Sequence, residues 1–244
     1  STAAEDLVRS GHKVALLDRE GRIKPCGGAI PPRLMLDFHI GEEQLLTKVT
    51  TARMISPSGR HVDIPIENGY VGMVDRKDFD PFLRARAKDA GAEYFTGTFV
   101  RIDRPNGTPV VIYRDKATQE ERELPCKLVI GADGAKSRVG LAEVKDADKV
   151  PLVFAYHEII KAPPKTEAYD PKRCDVIYDG AISPDFYGWV FPHGDSASVG
   201  MGSELSSVDL KKATSALRSA AGLDHCETLR KEGAPIPLKP LDCW

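Results

Sequence analysis

Residues 24–33 (KPCGGAIPPR) form the segment of this chain that is best suited to chemistry against a flat ring. Two adjacent glycines, Gly27 and Gly28, allow a backbone to approach such a ring closely, because neither carries a Cβ atom. Prolines on both sides restrict the backbone, and Cys26 adds a thiol beside the glycines. The pattern predicts a loop that lines a planar cofactor ring. The alternative is a plain connector in which Cys26 has no role.

A second candidate is the aromatic segment at residues 184–192 (PDFYGWVFP). Side chains alternate along a strand, so Tyr187, Trp189 and Phe191 are predicted to share one face and to form a large apolar wall. Gly188 beside this wall suggests the close approach of a bulky ligand. Aromatic residues in a strand also pack into the core of their own sheet, so a ligand cavity and plain core packing both remain open here.

Two acidic residues follow predicted strands. Asp18 lies near the end of a strand predicted over residues 12–20, and Asp133 with Gly134 directly follows a strand predicted over residues 126–131. In nucleotide-binding α/β sheets the ligand lies outside the carboxyl ends of the strands, where an acid holds a ribose hydroxyl. We expect both acids to contact a nucleotide cofactor. The alternatives are a surface aspartate at position 18 and an Asx-type turn at position 133.

The other elements must position these residues. Apolar periodicity and glycine stops predict helices over residues 1–10, 75–90 and 208–221. Arg76, at the start of the second helix, is a candidate cation for a cofactor diphosphate, with a solvated arginine as the alternative. Strands are predicted over residues 49–56 and 60–66 (a hairpin), 92–96, 99–103, 110–114, 121–124, 126–131, 153–160, 174–178, 187–191 and 197–202.

These elements predict an α/β fold in which a Rossmann-like nucleotide domain is interleaved with an antiparallel-sheet domain. The strand over residues 126–131 is continuous and apolar, which is typical of a buried parallel strand. We assign residues 1–48 and 75–146 to the nucleotide domain and residues 49–74 and 147–206 to the sheet domain. Residues 207–244 are assigned to a return helix and a linker.

Composition excludes several classes of protein. The 244 residues carry a net charge of −2 and no basic stripe, which argues against a nucleic-acid partner. Five scattered cysteines give neither zinc spacing nor a disulfide framework, so no metal site and a reduced cytoplasmic setting are expected. The apolar runs are shorter than the roughly 20 residues of a membrane helix, so any contact with a membrane is expected to be peripheral.

Taken together, the motifs KPCGGAIP, GADGAKSRVG and PDFYGWVFP closely resemble those of the geranylgeranyl reductases of (bacterio)chlorophyll biosynthesis. This resemblance runs from Ser1 to Trp244 and implies the FAD-dependent hydroxylase-like fold. By motif match it assigns Asp18, Asp133 and Gly134 to FAD, and the loop with Cys26, Gly27 and Gly28 is expected to line the ring of this cofactor. The family's Gly-x-Gly-x-x-Gly loop would precede Ser1 and its Gly-Asp segment would follow Trp244. We therefore expect an incomplete copy of the enzyme.

The resemblance also implies a reaction. Three double bonds of a geranylgeranyl group, carried as the diphosphate or on a pigment, would be saturated to phytyl with NADPH as the electron source. Tyr187, Trp189 and Phe191 are the candidate wall for the prenyl chain, and Cys26 and Tyr187 are hypotheses for the proton donor. An aromatic monooxygenase on the same fold and a non-catalytic flavin or prenyl carrier are the alternatives.

Overall fold

The computed structural model describes residues 1–67 and 69–240. Over these residues the chain forms helices and strands with the following bounds, in chain order: α1 (Thr2–Arg9), β1 (Ala15–Asp18), β2 (Ala29–Ile30), α2 (Pro32–Asp37), β3 (Thr47–Val49), β4 (Thr51–Ile55), β5 (His61–Pro65), β6 (Val71–Met73), α3 (Arg76–Asp89), β7 (Glu93–Asp103), β8 (Val110–Asp115), β9 (Glu121–Pro125), α4 (Arg138–Glu143), β10 (Leu152–Lys161), β11 (Arg173–Ile177), β12 (Gly188–His193), β13 (Ser196–Ser203), α5 (Leu210–Ala220) and β14 (Thr228–Pro237).

The chain divides into two compact units. Unit 1 contains residues Ser1–Ile23 and Asp80–Val150, and unit 2 contains Lys24–Phe79 and Pro151–Ile236. The mixed α/β class with an interleaved second domain is confirmed. The boundaries differ from those predicted, because residues 24–48 and 207–236 pack with the sheets of unit 2. The functional role of each domain stays a prediction, and residues 241–244 of the predicted linker lie outside the described residues.

In unit 1, α1 ends as predicted at Gly11, whose φ of +85° favours glycine. The apolar face of α1 packs through Ala4 against Ala87 and Ala92, which are all buried. Strand β1 then pairs in parallel with β7, so that Asp18 lies opposite Thr96. The four-stranded sheet has the order β1-β7-β8-β9. This arrangement places Asp18 at the carboxyl end of a parallel strand, as the sequence predicts.

The strand predicted over residues 126–131 is wrong. Strand β9 ends at Pro125, and residues 126–131 have no ladder partner among the described residues. Leu128 is 73% exposed and Ile130 is 53% exposed. A continuous apolar run marks a buried strand only where neighbouring strands accept its hydrogen bonds. Without such a neighbour here, this run stays irregular.

Unit 2 is built on a seven-stranded sheet of order β14-β10-β13-β12-β11-β4-β5. The predicted hairpin is confirmed, since β4 pairs with β5 around Gly59, where φ is +76°. Helix α5 starts at the cap Asp209, whose carboxylate accepts two backbone N–H groups, and covers one face of the sheet. Val190, Val199 and Leu217 are fully or almost fully buried between that face and the helix.

Strand β14 was not predicted, because its residues lie in the segment expected to be a linker. Its inward positions include Arg230 and Glu232, so the strand lacks the apolar alternation that indicates a half-buried strand. Its prolines are tolerated because β14 is an edge strand. A smaller sheet of order β2-β6-β3 holds the segment that follows Gly28.

Candidate active site

The Cys26 loop, residues 24–28, is held by contacts that only glycine permits. Gly28 has a φ of +71°, and a Cβ atom there would lie 2.6 Å from His193 Nε2 and would also meet the carbonyl oxygen of Val74. At Gly27 a Cβ atom would lie 3.4 Å from Cδ2 of Phe191. The predicted close approach is therefore present at Gly28, where it is made to Val74 and His193, whereas Gly27 makes an ordinary contact with Phe191. That this loop lines a flavin stays a prediction.

Cys26 is exposed at the tip of this loop. Its Sγ accepts a hydrogen bond from the Gly28 backbone N–H at 3.4 Å, which turns the thiol toward the loop backbone. The thiol shares a small polar cavity with Asp75, Arg76, His193 and Glu232. The loop thus presents a sulfur atom at a cavity that charged side chains also line. That Cys26 donates a proton stays a prediction.

The three predicted wall residues form one cluster of rings, in which Trp189 and Phe191 belong to β12 and Tyr187 directly precedes this strand. The ring centroids of Tyr187 and Trp189 are 6.1 Å apart, and those of Trp189 and Phe191 are 6.2 Å apart. Trp189 is only 6% exposed, whereas Tyr187 and Phe191 are half-buried. Tyr178 extends the cluster at 6.2 Å from Tyr187. The wall is therefore anchored by a buried indole and offers its accessible surface through the rings on either side.

The phenol of Tyr187 keeps its proton at neutral pH. Burial raises its pKa, and the neighbouring Tyr178 adds to that effect. A protonated phenol beside an apolar wall can serve as a hydrogen-bond donor or as a weak acid. This geometry is compatible with the hypothesis that Tyr187 donates a proton, which stays a prediction.

His193 is a site residue that lies outside the motifs recognised in the sequence, directly after the aromatic segment. It is 7% exposed at the end of β12, and its Nδ1 lies 3.0 Å from the carbonyl oxygen of Phe191. Burial lowers its pKa, although contacts with the backbone of Phe191 and Gly27 oppose the shift. Its position two residues after Phe191, on the face of the wall, was the signal that could have revealed it.

The polar cavity of unit 2 is organised by Arg230. Its guanidinium contacts Asp75 at 3.2 Å and also donates to Glu232. Burial acts to raise the pKa of Asp75, but hydrogen bonds from the Lys77 backbone and from Arg230 hold it below its usual value. Arg76 begins α3 and lines the same cavity. Its predicted contact with a cofactor diphosphate stays a prediction.

The remaining predicted cofactor residues belong to unit 1. Asp18 accepts the Glu20 backbone N–H at 2.7 Å and lies 3.7 Å from Nη1 of Arg84. Asp133 accepts the backbone N–H of Arg138 at 2.7 Å, so its carboxylate caps the start of α4. Gly134 is exposed, with a φ of +95°. Cofactor contacts by these three residues stay predictions.

Comparison with known proteins first defines the class. Residues 31–149 match the family described as FAD binding domain. A geranylgeranyl bacteriochlorophyll reductase-like protein from Thermoplasma acidophilum has the same fold, with a TM-score of 0.85 at 22% identity over 98% of this chain and 63% of that one. The flavin-dependent brominase Bmp2 follows with a TM-score of 0.71 at 16% identity, over 96% of this chain and 63% of that one. The chain thus has the fold of FAD-dependent flavoproteins.

Sequence similarity then relates the chain to named enzymes. The chain is 65% identical, over its whole length, to a geranylgeranyl diphosphate reductase from Rhodobacter capsulatus, and it covers 62% of that protein. It is 38% identical to the chloroplastic enzyme of that name from Oryza sativa, over 98% of this chain and 54% of that protein. The chain is thus similar over its whole length to enzymes named geranylgeranyl diphosphate reductase, and it spans little more than half the length of these relatives.

Two further observations concern metals and membranes. In the part of the chain that the structure describes, no group of three or more His, Cys, Asp or Glu side chains is arranged to hold a metal ion. Within the same residues, no helix combines the length and the apolar character needed to cross a membrane.

Proposed function

We propose that the complete protein is an FAD-dependent reductase that saturates three isolated double bonds of a geranylgeranyl group to give phytyl, with NADPH as the source of electrons. The observation that carries this proposal is the packing of the Gly27–Gly28 loop against Phe191, at one end of the aromatic wall. This contact connects the Cys26 loop, which is expected to line the flavin, with the aromatic wall, which is expected to hold the prenyl chain. The relatives are named for geranylgeranyl diphosphate, which supports the substrate class.

The residues present fit the cofactor. Gly134 offers a backbone turn with nothing within 4 Å of an added Cβ atom, which leaves room for a ligand beside Asp133. Asp18 lies at the carboxyl end of a parallel strand, where a ribose hydroxyl binds in this class of fold. Arg76 and the Cys26 loop would hold the diphosphate and the ring, respectively. When bound and reduced, FAD would supply a hydride.

The chain's own residues then position the alkene and supply the proton. Tyr187 and Phe191 would hold the prenyl chain and exclude water, and such positioning can contribute roughly 7 to 11 kcal/mol to lowering the barrier. One alkene carbon accepts the hydride and the other accepts a proton, so each double bond gains two hydrogens. Cys26 and Tyr187 are the proposed sources of that proton, because Cys26 adjoins Gly27 in the loop and Tyr187 belongs to the aromatic wall.

The decisive experiment uses the full-length protein with FAD, under anaerobic conditions. Geranylgeranyl diphosphate and a geranylgeranyl-esterified pigment are each incubated with NADPH, and the products are analysed by mass spectrometry. We expect mass gains in steps of two hydrogens on one of the two substrates, which also identifies the substrate. NADPH oxidation with hydroxylation, or binding without any mass gain, would refute the reductase and favour a monooxygenase or a carrier.

The proton donor is tested with matched variants. Cys26→Ser is compared with Cys126→Ser, and Tyr187→Phe with Tyr178→Phe, all with FAD content verified. We expect a loss of turnover only in the first member of one pair. If both Cys26→Ser and Tyr187→Phe turn over normally, neither residue is the acid.

We also propose that the protein meets its apolar substrate at a membrane surface, as a cytoplasmic protein bound peripherally to photosynthetic membranes. The support is the chemistry of the substrate, since a geranylgeranyl chain or a pigment ester partitions into lipid. Cosedimentation of the full-length protein with chromatophore membranes, compared with protein alone, tests this. Recovery in the supernatant at all membrane concentrations would overturn it.

A further inference from the structure

A buried chain of hydrogen bonds runs through the sheet of unit 2, starting at the indole of the wall. Trp189 Nε1–H donates to Ser198 Oγ at 3.0 Å, and Ser198 Oγ lies 2.8 Å from His157 Nδ1. His157 Nε2 in turn lies 3.1 Å from Glu232 Oε2. Ser198 is fully buried and His157 is 3% exposed. These groups therefore depend on one another, and not on solvent, to satisfy their hydrogen bonds.

The direction of this chain follows from the kinds of donor that it contains. An indole N–H can only donate, so Ser198 Oγ accepts from Trp189. The serine hydroxyl then has its own proton to give, and His157 Nδ1 is the acceptor within reach. With a neutral imidazole, which has one donor and one acceptor, Nε2 of His157 carries the proton and donates to Glu232. Every donor thus points from the wall toward the carboxylate.

Arg230 keeps that carboxylate ionised. Burial acts to raise the pKa of Glu232, but hydrogen bonds from His157 and Arg230 hold it below its usual value. Arg230 also contacts Asp75 at 3.2 Å, in the polar cavity beside the Cys26 loop. The chain is therefore fixed at one end by an indole donor and at the other by a charged acceptor.

Gly200 is what allows the two rings to meet. It lies opposite both Trp189 and His157 in the neighbouring strands, and the ring centroids of these two residues are 6.1 Å apart. A Cβ atom at Gly200 would lie 2.6 Å from Cζ2 of Trp189 and would also collide with Cβ of His157. The indole of Trp189 lies across β13 and occupies the space that a side chain at Gly200 would need.

We propose that Ser198, His157 and Glu232 are positioning residues that hold the indole of Trp189 in one orientation, with its N–H turned into the sheet. The wall can then present aromatic carbon, without an unsatisfied N–H, toward an apolar ligand. This inference rests on the proposed function, because the orientation matters for catalysis only if the wall aligns a prenyl chain. The fixed orientation of the indole then aligns each alkene of the prenyl chain with the reacting centre.

The experiment combines a spectroscopic and a kinetic readout on the full-length holoenzyme. Tryptophan is replaced by 5-fluorotryptophan, and the ¹⁹F resonance of Trp189 is assigned by its disappearance in Trp189→Phe. Ser198→Ala and His157→Leu break the chain. His157→Gln preserves its direction, since the amide oxygen accepts from Ser198 and the amide nitrogen donates to Glu232. Circular dichroism verifies that each variant is folded.

Thr214→Val is the matched control for loss of a buried hydroxyl. Thr214 is fully buried in α5, and its Oγ1 has no hydrogen-bond partner, so this variant removes a buried oxygen outside the chain. We expect a shifted or broadened Trp189 resonance in Ser198→Ala and His157→Leu. We also expect kcat to fall by about tenfold to a hundredfold with little change in KM, and partly reduced products to accumulate. His157→Gln should restore both readouts, and Thr214→Val should change neither.

The outcomes separate this inference from the proposed function. An unchanged Trp189 resonance in Ser198→Ala and His157→Leu overturns the inference, whatever the activity. A changed resonance with normal kcat and normal products overturns the positioning role and leaves the reductase intact. If the unmodified enzyme saturates no alkene under any condition, the proposed function fails, and the positioning role in catalysis fails with it. The resonance then shows only whether the hydrogen-bond chain exists.

Discussion

Replacement of Gly28 by alanine is predicted to disrupt the Cys26 loop, and two other glycines make the prediction quantitative. Gly28 combines a φ of +71° with a Cβ position 2.6 Å from His193 Nε2. Gly59 has a similar φ of +76° but nothing within 4 Å of its Cβ position. Gly27 has no positive φ, and its Cβ position lies 3.4 Å from Phe191. The three sites therefore separate backbone strain from steric collision.

The expected magnitudes follow from these two causes. A left-handed backbone costs a residue with a Cβ atom about 1–2 kcal/mol, which is the whole effect expected for Gly59→Ala. Overpacking against a buried neighbour adds about 1–3 kcal/mol. Gly28→Ala should therefore lower the free energy of unfolding by about 2–5 kcal/mol. Gly27→Ala should change it by less than about 1 kcal/mol, because its Cβ atom makes an ordinary contact.

Urea unfolding of the full-length variants, followed by far-UV circular dichroism, measures these differences. Flavin fluorescence titration measures FAD affinity in parallel, and only the variants in the Cys26 loop should weaken it. The reasoning is refuted if Gly28→Ala is no less stable than Gly59→Ala, because the collision with His193 would then contribute nothing. The expected role of the Cys26 loop in FAD binding is refuted if Gly28→Ala binds FAD as tightly as Gly59→Ala does.

Three further outcomes are expected. Arg218→Met leaves the carboxylate of Glu158, 2.6 Å from Arg218 Nη1 and 13% exposed, without that partner, so it should cost about 3–5 kcal/mol in urea unfolding. The exposed Lys231→Met, 3.7 Å from the same carboxylate, should cost no more than about 1 kcal/mol. Burial lowers the pKa of His193 below 6.5, so the free energy of unfolding should fall as the pH drops below 6.5, and His193→Phe should flatten this part of the pH profile. Asp133→Ala removes the acceptor for the Arg138 N–H and should destabilise α4 by about 1 kcal/mol, measured by amide hydrogen exchange; unchanged exchange would contradict it.

The elements that the sequence predicted are those with local signals. The hairpin around Gly59 combines alternating strands with a turn glycine, and α1 ends at Gly11, where the chain needs a positive φ. The face shared by Tyr187, Trp189 and Phe191 follows from the two-residue period of a strand. Each of these features depends on a few consecutive residues, so one sequence is sufficient to find it.

The errors arose where a strand depends on its neighbours. Residues 126–131 have the composition of a buried strand, but Leu128 is 73% exposed and the described residues provide no adjacent strand. Strand β14 has the opposite character, since its composition is that of a linker and it nevertheless pairs at the edge beside β10. Strand pairing brings together residues that are distant in the sequence, and periodicity in one segment does not report it.

The same limit explains why only some residues of the candidate site could be predicted from the sequence. Cys26, Gly27 and Phe191 lie in motifs and could be named from the sequence. His157, Ser198 and Glu232 come from three strands, and each alone resembles an ordinary polar residue. Arg230 and Glu232 point inward from β14, where apolar side chains would be expected. A charged residue at an inward position is stable only if it is paired with a polar or oppositely charged partner. Here Glu232 is paired with His157, and Arg230 is paired with Asp75. Inward charges in a segment that pairs as a strand thus indicate a buried polar network. In β14, Glu232 is connected to the indole of Trp189 by hydrogen bonds through His157 and Ser198.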